Sequence, residues 1–368
     1  MSGYKIPFFG VDRQYKELRE EIMDVTDEVY LTGQVLDGSQ TQAFEEEIAR
    51  RCNRSWAVAV GSCTQGLIFA LQSSIPADSK ILIPTLSFAA TINSVLYAGH
   101  TPVFCDTDQN ALIDLESMDM ALEGAGVNCI MYPNLFGHTV DYDRMRLQTE
   151  FFNDNMFVIE DAAQSFGASY RGVPSGKLGD ISVLSFDPTK NLNNYGSGGM
   201  ILTDSYLTYE NLLDLRDNGK QMSHQGFGTN SKMSESDCAQ MLVKLDYFDA
   251  WQRRRHSIAE YYTEQLDGYV DVIEPGADVK SAWSKFVIRL TERHGLRQHL
   301  EQEGIETRFH YDKPLFELPI GYGFIDYARE QFRESSAFSR ECLSLPIYPE
   351  LLDHEVEQVA ETVINYLR

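Results

Sequence analysis

From Trp56 to about Asp204 the chain alternates short apolar runs with stretches of helical spacing, and this rhythm restricts the fold more than any other feature. The runs occupy residues 56–60, 81–84, 102–105, 129–132, 157–159, 181–186 and 200–202, and are rich in Val, Ile and Phe. A strand with one wet face would alternate apolar and polar residues; short runs without alternation belong to strands covered on both faces. Segments between them, such as residues 65–73 and 89–98, have the apolar spacing of helices. The expected class is α/β, with a mainly parallel sheet of about seven strands sandwiched by helices.

After residue 204 the rhythm stops. Residues 235–266 are long and charged, with Leu242, Leu245, Phe248, Trp251, Ile258, Tyr261 and Tyr262 at helical spacing, which predicts one or two long helices. A short strand near residues 283–290, a helix near 296–303 and a last helix over 354–367 follow, and together read as a smaller α+β unit. At 368 residues the chain has room for two domains. The expected division is a large domain over residues 1–250, with an N-terminal arm, and a smaller one over 251–368.

A formal net charge of −24 opposes nucleic-acid binding, whose footprint is basic. It also repels anionic ligands at long range, so any phosphate site must be local, made of backbone N–H groups and a few Lys or Arg. No stretch approaches the roughly 20 apolar residues of a membrane helix, and Met1–Phe9 lacks the pattern of a signal peptide. A soluble cytoplasmic protein without membrane partners is expected. Cys52, Cys63, Cys105, Cys129, Cys238 and Cys342 form no Cys-x-x-Cys pair and have no His cluster beside them, which favours buried thiols over disulfides or a metal site.

In open α/β sheets ligands bind beyond the carboxyl ends of the strands. After the first run, Gly61-Ser62-Cys63-Thr64 opens a helix; free N–H groups and the positive dipole end make such a turn a phosphate cradle, although any strand–helix joint favours small residues. Phe88 follows the second run, either as a stacking platform for a planar ring or as a packed core residue. Glu160-Asp161 follows the fifth run. Acids there are costly unless paired, and Asp161 either holds a ring N–H or caps a helix. Lys190 follows the sixth run, either as a solvated surface residue or as a shielded amine able to form an imine. Each feature alone is weak. An acid, an amine, a phosphate turn and an aromatic in one predicted sheet are what a pyridoxal phosphate (PLP) site requires.

The residues also resemble the DegT/DnrJ/EryC1/StrS sugar aminotransferases, which are fold type I PLP enzymes. The resemblance covers about residues 6–349 and is carried by residues 59–67 (AVGSCTQGL), 84–106 (PTLSFAATINSVLYAGHTPVFCD), 158–168 (VIEDAAQSFGA) and 185–203 (SFDPTKNLNNYGSGGMILT). Later matches are LRDNG at 215–219, GTNSKMSE at 228–235 and SLPIYP at 344–349. It implies that Lys190 carries the cofactor as an imine and that Asp161 partners the pyridine nitrogen, its pKa lowered by that cation. It places Gln164 near the phenolic oxygen, Phe88 on the ring face, and Ser62, Cys63, Thr64 and Ser185 around the phosphate. Asn230 matches a residue that reaches the phosphate of a neighbouring subunit, which implies a homodimer with shared sites. The chain departs from the family pattern twice: Cys63 stands where Gly is usual, and the motif from His310 to Leu315 continues into Phe316 where His is frequent.

The implied reaction takes an amino group from L-glutamate, leaves pyridoxamine phosphate as intermediate, and aminates a nucleotide-linked keto sugar, as in amino-sugar and polysaccharide biosynthesis. Lys232, Arg308 and Lys313, basic residues outside the core motifs, are candidates for the nucleotide, with His310 beside them, although each basic residue taken singly reads more readily as solvated surface charge. Two alternatives stand next to this reading. A PLP-dependent sugar dehydratase is opposed by Lys190, since related dehydratases have His there. A non-catalytic PLP-binding regulator is opposed by the charge and by the lack of a DNA-binding module.

Overall fold

All seven apolar runs become strands of one sheet in the computed structural model, which describes residues 3–324 and 331–368. They are β1 (Trp56–Val60), β2 (Lys80–Pro84), β3 (Thr101–Cys105), β4 (Val127–Pro133) and β5 (Phe157–Asp161); the two-residue strands β6 (Ser169–Tyr170) and β7 (Val173–Pro174) intervene before β8 (Ile181–Ser185) and β9 (Gly199–Thr203). The order across the sheet is β1-β9-β8-β5-β4-β2-β3. Strands β3, β2, β4, β5 and β8 are mutually parallel, whereas β9 lies antiparallel between β8 and β1. The exception has a local cause. Residues 186–198 contain no helix, and without a crossover the chain returns beside the strand it has just left.

Helices α1 (Val11–Thr32), α2 (Ser39–Arg51), α3 (Cys63–Ser74), α4 (Ala89–Tyr97), α5 (Leu115–Leu122), α6 (Tyr142–Phe152) and α7 (Tyr206–Arg216) cover both faces. The period of two along each strand divides the core. Val58, Val60, Val183 and Ile201 join Leu67 and Phe69 of α3 and Leu212 of α7. Ala57, Ala59, Leu184 and Met200 face the other way, onto Leu18 of α1, Phe44 and Ile48 of α2, and Leu245. The six cysteines are free and buried.

Residues 235–266 form a single helix, α8 (Glu235–Leu266), whose two halves serve different cores. Cys238, Met241, Leu245, Phe248 and Trp251 pack with α1 and α2. Ile258, Ala259, Tyr262 and Leu266 pack with the antiparallel sheet of β10 (Asp271–Val272), β12 (Phe286–Arg289) and β13 (Cys342–Leu345), and with helices α9 (Arg293–Gln302) and Asp353–Leu367. Ile6 of the N-terminal arm lies in this second core and bridges to Ile305, and β11 (Val279–Lys280) pairs back onto β6. The C-terminal part is therefore tied to the rest of the chain by α8, by the Ile6–Ile305 bridge and by the pairing of β11 with β6. No helix among the described residues is long and apolar enough to cross a membrane.

Candidate active site

Because every strand of the main sheet except β9 runs the same way, their carboxyl ends share one edge, and a cavity of about 350 Å³ opens there. Ser62, Cys63 and Thr64 enter it after β1, Phe88 after β2, Asn134 after β4, Asp161 at the end of β5, Ser185 at the end of β8 and Lys190 beyond it. Ser62 caps α3 in extended backbone, its Oγ accepting from Gln65 N–H at 3.2 Å. Cys63 is the first residue of α3 and is not in the left-handed region, so the departure from glycine costs no backbone strain. The glycine that matters is Gly199. A Cβ there would lie 2.6 Å from Cys63 N and 2.7 Å from Ser62 C, backbone atoms that cannot step aside. Gly199→Ala is expected to cost about 1–3 kcal/mol of stability and to deplete the purified protein of cofactor, as read by thermal melting and by bound-cofactor absorbance.

Glu160 and Asp161 point opposite ways, as neighbours on a strand must. Glu160 is fully buried and accepts from Asn134 Nδ2, Ser175 Oγ, Gly176 N, Leu178 N and Ser182 Oγ at 2.6–3.0 Å, a closed network that pins the end of β5. Asp161 is also buried but has only long contacts: Ala163 N–H at 3.2 Å, the Thr91 hydroxyl at 3.4 Å and Cys63 Sγ at 4.0 Å, with Ser87 Oγ 2.7 Å behind Thr91. Burial pushes its carboxyl up to about 6, against the Ala163 N–H, Lys190 and Thr91. The lowered pKa expected from the sequence therefore requires a bound cation; the pocket alone does the reverse. A buried carboxylate short of donors fits a protonated ring nitrogen. The α3 N-terminus fits a phosphate, and Lys190 bears on both Asp161 and Cys63 from the same cavity.

Gln164 is committed on both sides, accepting from Phe136 N–H at 2.9 Å and donating to Tyr311 OH at 2.8 Å. Phe88 is 60% exposed, which excludes the core reading, and lies 6.1 Å from the Tyr311 ring at the cavity. Arg308 and His310 line the same cavity. Three other predicted residues lie elsewhere. Lys232 is bound to Asp217, Lys313 is exposed outside the cavity, and Asn230 is exposed on a segment whose Ser231 carbonyl accepts from Gly61 N–H at 2.7 Å. Phe316 is buried against Phe332, so the residue replacing the frequent His serves the core and does not line the cavity. Thr91, Tyr311 and Lys285 escaped the sequence reading. For Lys285 a signal existed: a single lysine inside the apolar segment Trp283-Ser284-Lys285-Phe286-Val287.

A buried acid, a lysine and a helix N-terminus, converging at the strand ends of a mostly parallel sheet, define a fold type I PLP enzyme. The chain belongs to the DegT/DnrJ/EryC1/StrS aminotransferase family, whose model matches residues 16–364. It is 31% identical to the Streptomyces venezuelae dTDP-3-amino-3,4,6-trideoxy-alpha-D-glucose transaminase, covering 98% of this chain and 95% of that one. It is 30% identical to a Geobacillus stearothermophilus protein named pleiotropic regulatory protein, over 99% of both. The S. venezuelae DesV structure, in complex with a ketimine intermediate, superposes with a TM-score of 0.94 at 30% identity, covering 99% of this chain and 98% of that one. The protein is accordingly a PLP-dependent sugar aminotransferase.

Proposed function

We propose that this protein transfers the amino group of L-glutamate to a nucleotide-linked keto sugar. The observation that carries the reading is the convergence of Lys190 and Asp161 on one cavity whose floor is a helix N-terminus. PLP, when bound, supplies an electron sink for the carbon that loses its proton. The chain's own residues do the rest. Asp161 holds the ring-nitrogen proton, Ser62, Cys63, Thr64 and Ser185 seat the phosphate, and Phe88 covers the ring. Lys190 takes and returns the proton at the reacting carbon. Arg308 and His310 line the side of the cavity left for substrate.

The test is direct. Holoenzyme incubated with L-glutamate should form pyridoxamine phosphate, separable by chromatography, and should then aminate one member of a panel of nucleotide-linked 3-keto and 4-keto sugars. Cofactor retention without any conversion by glutamate would favour the regulator reading. Loss of water from a sugar without amine transfer would favour the dehydratase.

The same reading includes a cytoplasmic homodimer with shared sites; Asn230 is exposed, as a residue that reaches a second subunit must be. In such a dimer the Lys190→Ala and Asn230→Ala chains are each impaired. Co-expressed, they should regain activity above the sum of the two, because one of the two sites in a mixed dimer is native. No regain would place Asn230 in its own chain's site or in none.

A further inference from the structure

Lys285 is the least expected group in the cavity. Its side chain is buried, and its Nζ donates to two backbone carbonyls, Ser284 at 2.9 Å and Thr189 at 3.3 Å. Neither acceptor carries a charge, and among the described residues no carboxylate lies within ion-pair distance of it. The carbonyl of Thr189 puts this ammonium one residue from Lys190. A second cation stands close by, Arg308, whose guanidinium already donates to Glu306 Oε1 at 2.9 Å on its exposed side. Lys285 Nζ is 5.2 Å and Arg308 Cζ is 4.9 Å from the centroid of the same Phe9 ring, and Phe9 also lines the cavity. Burial, and then the charges of Lys190, Arg255 and Arg308, hold the Lys285 ammonium well below the usual lysine range, with Asp187 opposing. His310 is likewise held low by burial and by Lys285, Lys190 and Arg308. Lys190 acts on both this group and the Asp161–Cys63 group, and all of them except Arg255 line or border the one cavity.

We propose that Lys285 and Arg308 form an anion subsite for the carboxylates of the amino donor, with Lys285 taking the α-carboxylate and Arg308 the distal one. This rests on the aminotransferase reading given above. Burying an ammonium among like charges is unfavourable, and an anion set between them removes that cost. Position selects which anion. In an amino acid reacting at Lys190, the α-carboxylate is bonded to the reacting carbon, and Lys285 is the cation next to that lysine. The diphosphate of a nucleotide sugar is separated from its keto carbon by the sugar ring and belongs further out. Arg308 is more exposed than Lys285, where the far end of a five-carbon dicarboxylate would arrive.

The test uses the holoenzyme and glutarate, an unreactive five-carbon dicarboxylate, titrated by calorimetry. Lys285→Met should weaken glutarate by about tenfold or more, and Lys285→Arg should restore most of the loss, as a charge-assisted contact predicts. Arg308→Gln, at an exposed side chain that tolerates change, should weaken glutarate and raise the KM for L-glutamate while leaving that for L-alanine within about twofold. Unchanged glutarate binding in Lys285→Met overturns the proposal, as does a loss confined to the nucleotide sugar. If Lys285→Met fails to fold, Arg308→Gln decides alone. A wild-type enzyme that binds glutarate but converts no amino acid would sink the aminotransferase reading and leave the subsite standing.

Discussion

Lys190→Ala should lose at least ~10³-fold in turnover, since in the function proposed here the side chain both attaches the cofactor and moves the proton. The variant should nevertheless fold. The loop that presents residue 190 is built by its neighbours: Asp187 Oδ1 accepts from Thr189 N–H at 3.0 Å and from Thr189 Oγ1 at 2.7 Å, and Lys190 N–H donates to the Asp187 carbonyl at 2.9 Å. None of these bonds uses the lysine side chain. The phosphate turn and Asp161 are likewise untouched, so cofactor should still bind without the visible absorbance of its lysine-linked form. Electrostatics supply a second readout. Removing one cation eases the pressure on Lys285 and His310, whose proton affinities should both rise, while Asp161 loses one of the charges that favour its ionised form. Single-turnover kinetics with L-glutamate, beside a spectrum of the purified variant, check both halves. A variant that aminates at the wild-type rate would remove Lys190 from the chemistry.

The sheet was legible in the sequence because burial on both faces leaves a signature that a few residues suffice to show. Direction within the sheet was less so: residues 200–202 read as a strand, but an apolar run carries no sign of its sense. The antiparallel course of β9 follows from the missing helix in residues 186–198, a property of the connection and not of the strand. The helix α8 posed a related problem. Its apolar residues repeat without a break while the core they serve changes between Trp251 and Ile258, a partition that periodicity along one helix cannot express. The candidate residues that follow strands meet in one cavity because topology brings strand ends together. The cations were harder. Basic residues outside the motifs included Lys232, which is consumed by Asp217 fifteen positions away, and missed Lys285, which lies inside an apolar segment and is buried. Charge on the page marks exposure as readily as function; only packing shows which lysine faces a cavity.

Asp161→Asn should separate function from stability in opposite directions. With cofactor, the variant would lack the anion proposed to hold the ring-nitrogen proton, and turnover should fall by ~10²–10⁴-fold with weaker cofactor retention. Without cofactor, the variant should be the more stable protein at neutral and alkaline pH. The carboxyl of Asp161 is raised from 3.8 to about 6 in the folded apo-protein, first by burial. The folded chain therefore holds this proton more tightly than the unfolded one. The contribution to stability is fully present below about pH 4, declines as pH rises through about 6, and above that the buried carboxylate is a standing cost. An amide of the same shape carries no such cost. Apo Asp161→Asn should thus melt a few degrees above apo wild type near pH 8, with the gap closing as pH falls below about 6 and gone near 4. Adding PLP should reverse the order, because the wild-type carboxylate then gains its cationic partner and the amide does not. Melting curves of both proteins, with and without cofactor across this pH range, test the argument. A gap that persists at pH 4, or a wild type that is already the more stable apo-protein at pH 8, would mean that Asp161 is not an uncompensated buried charge awaiting a ring nitrogen.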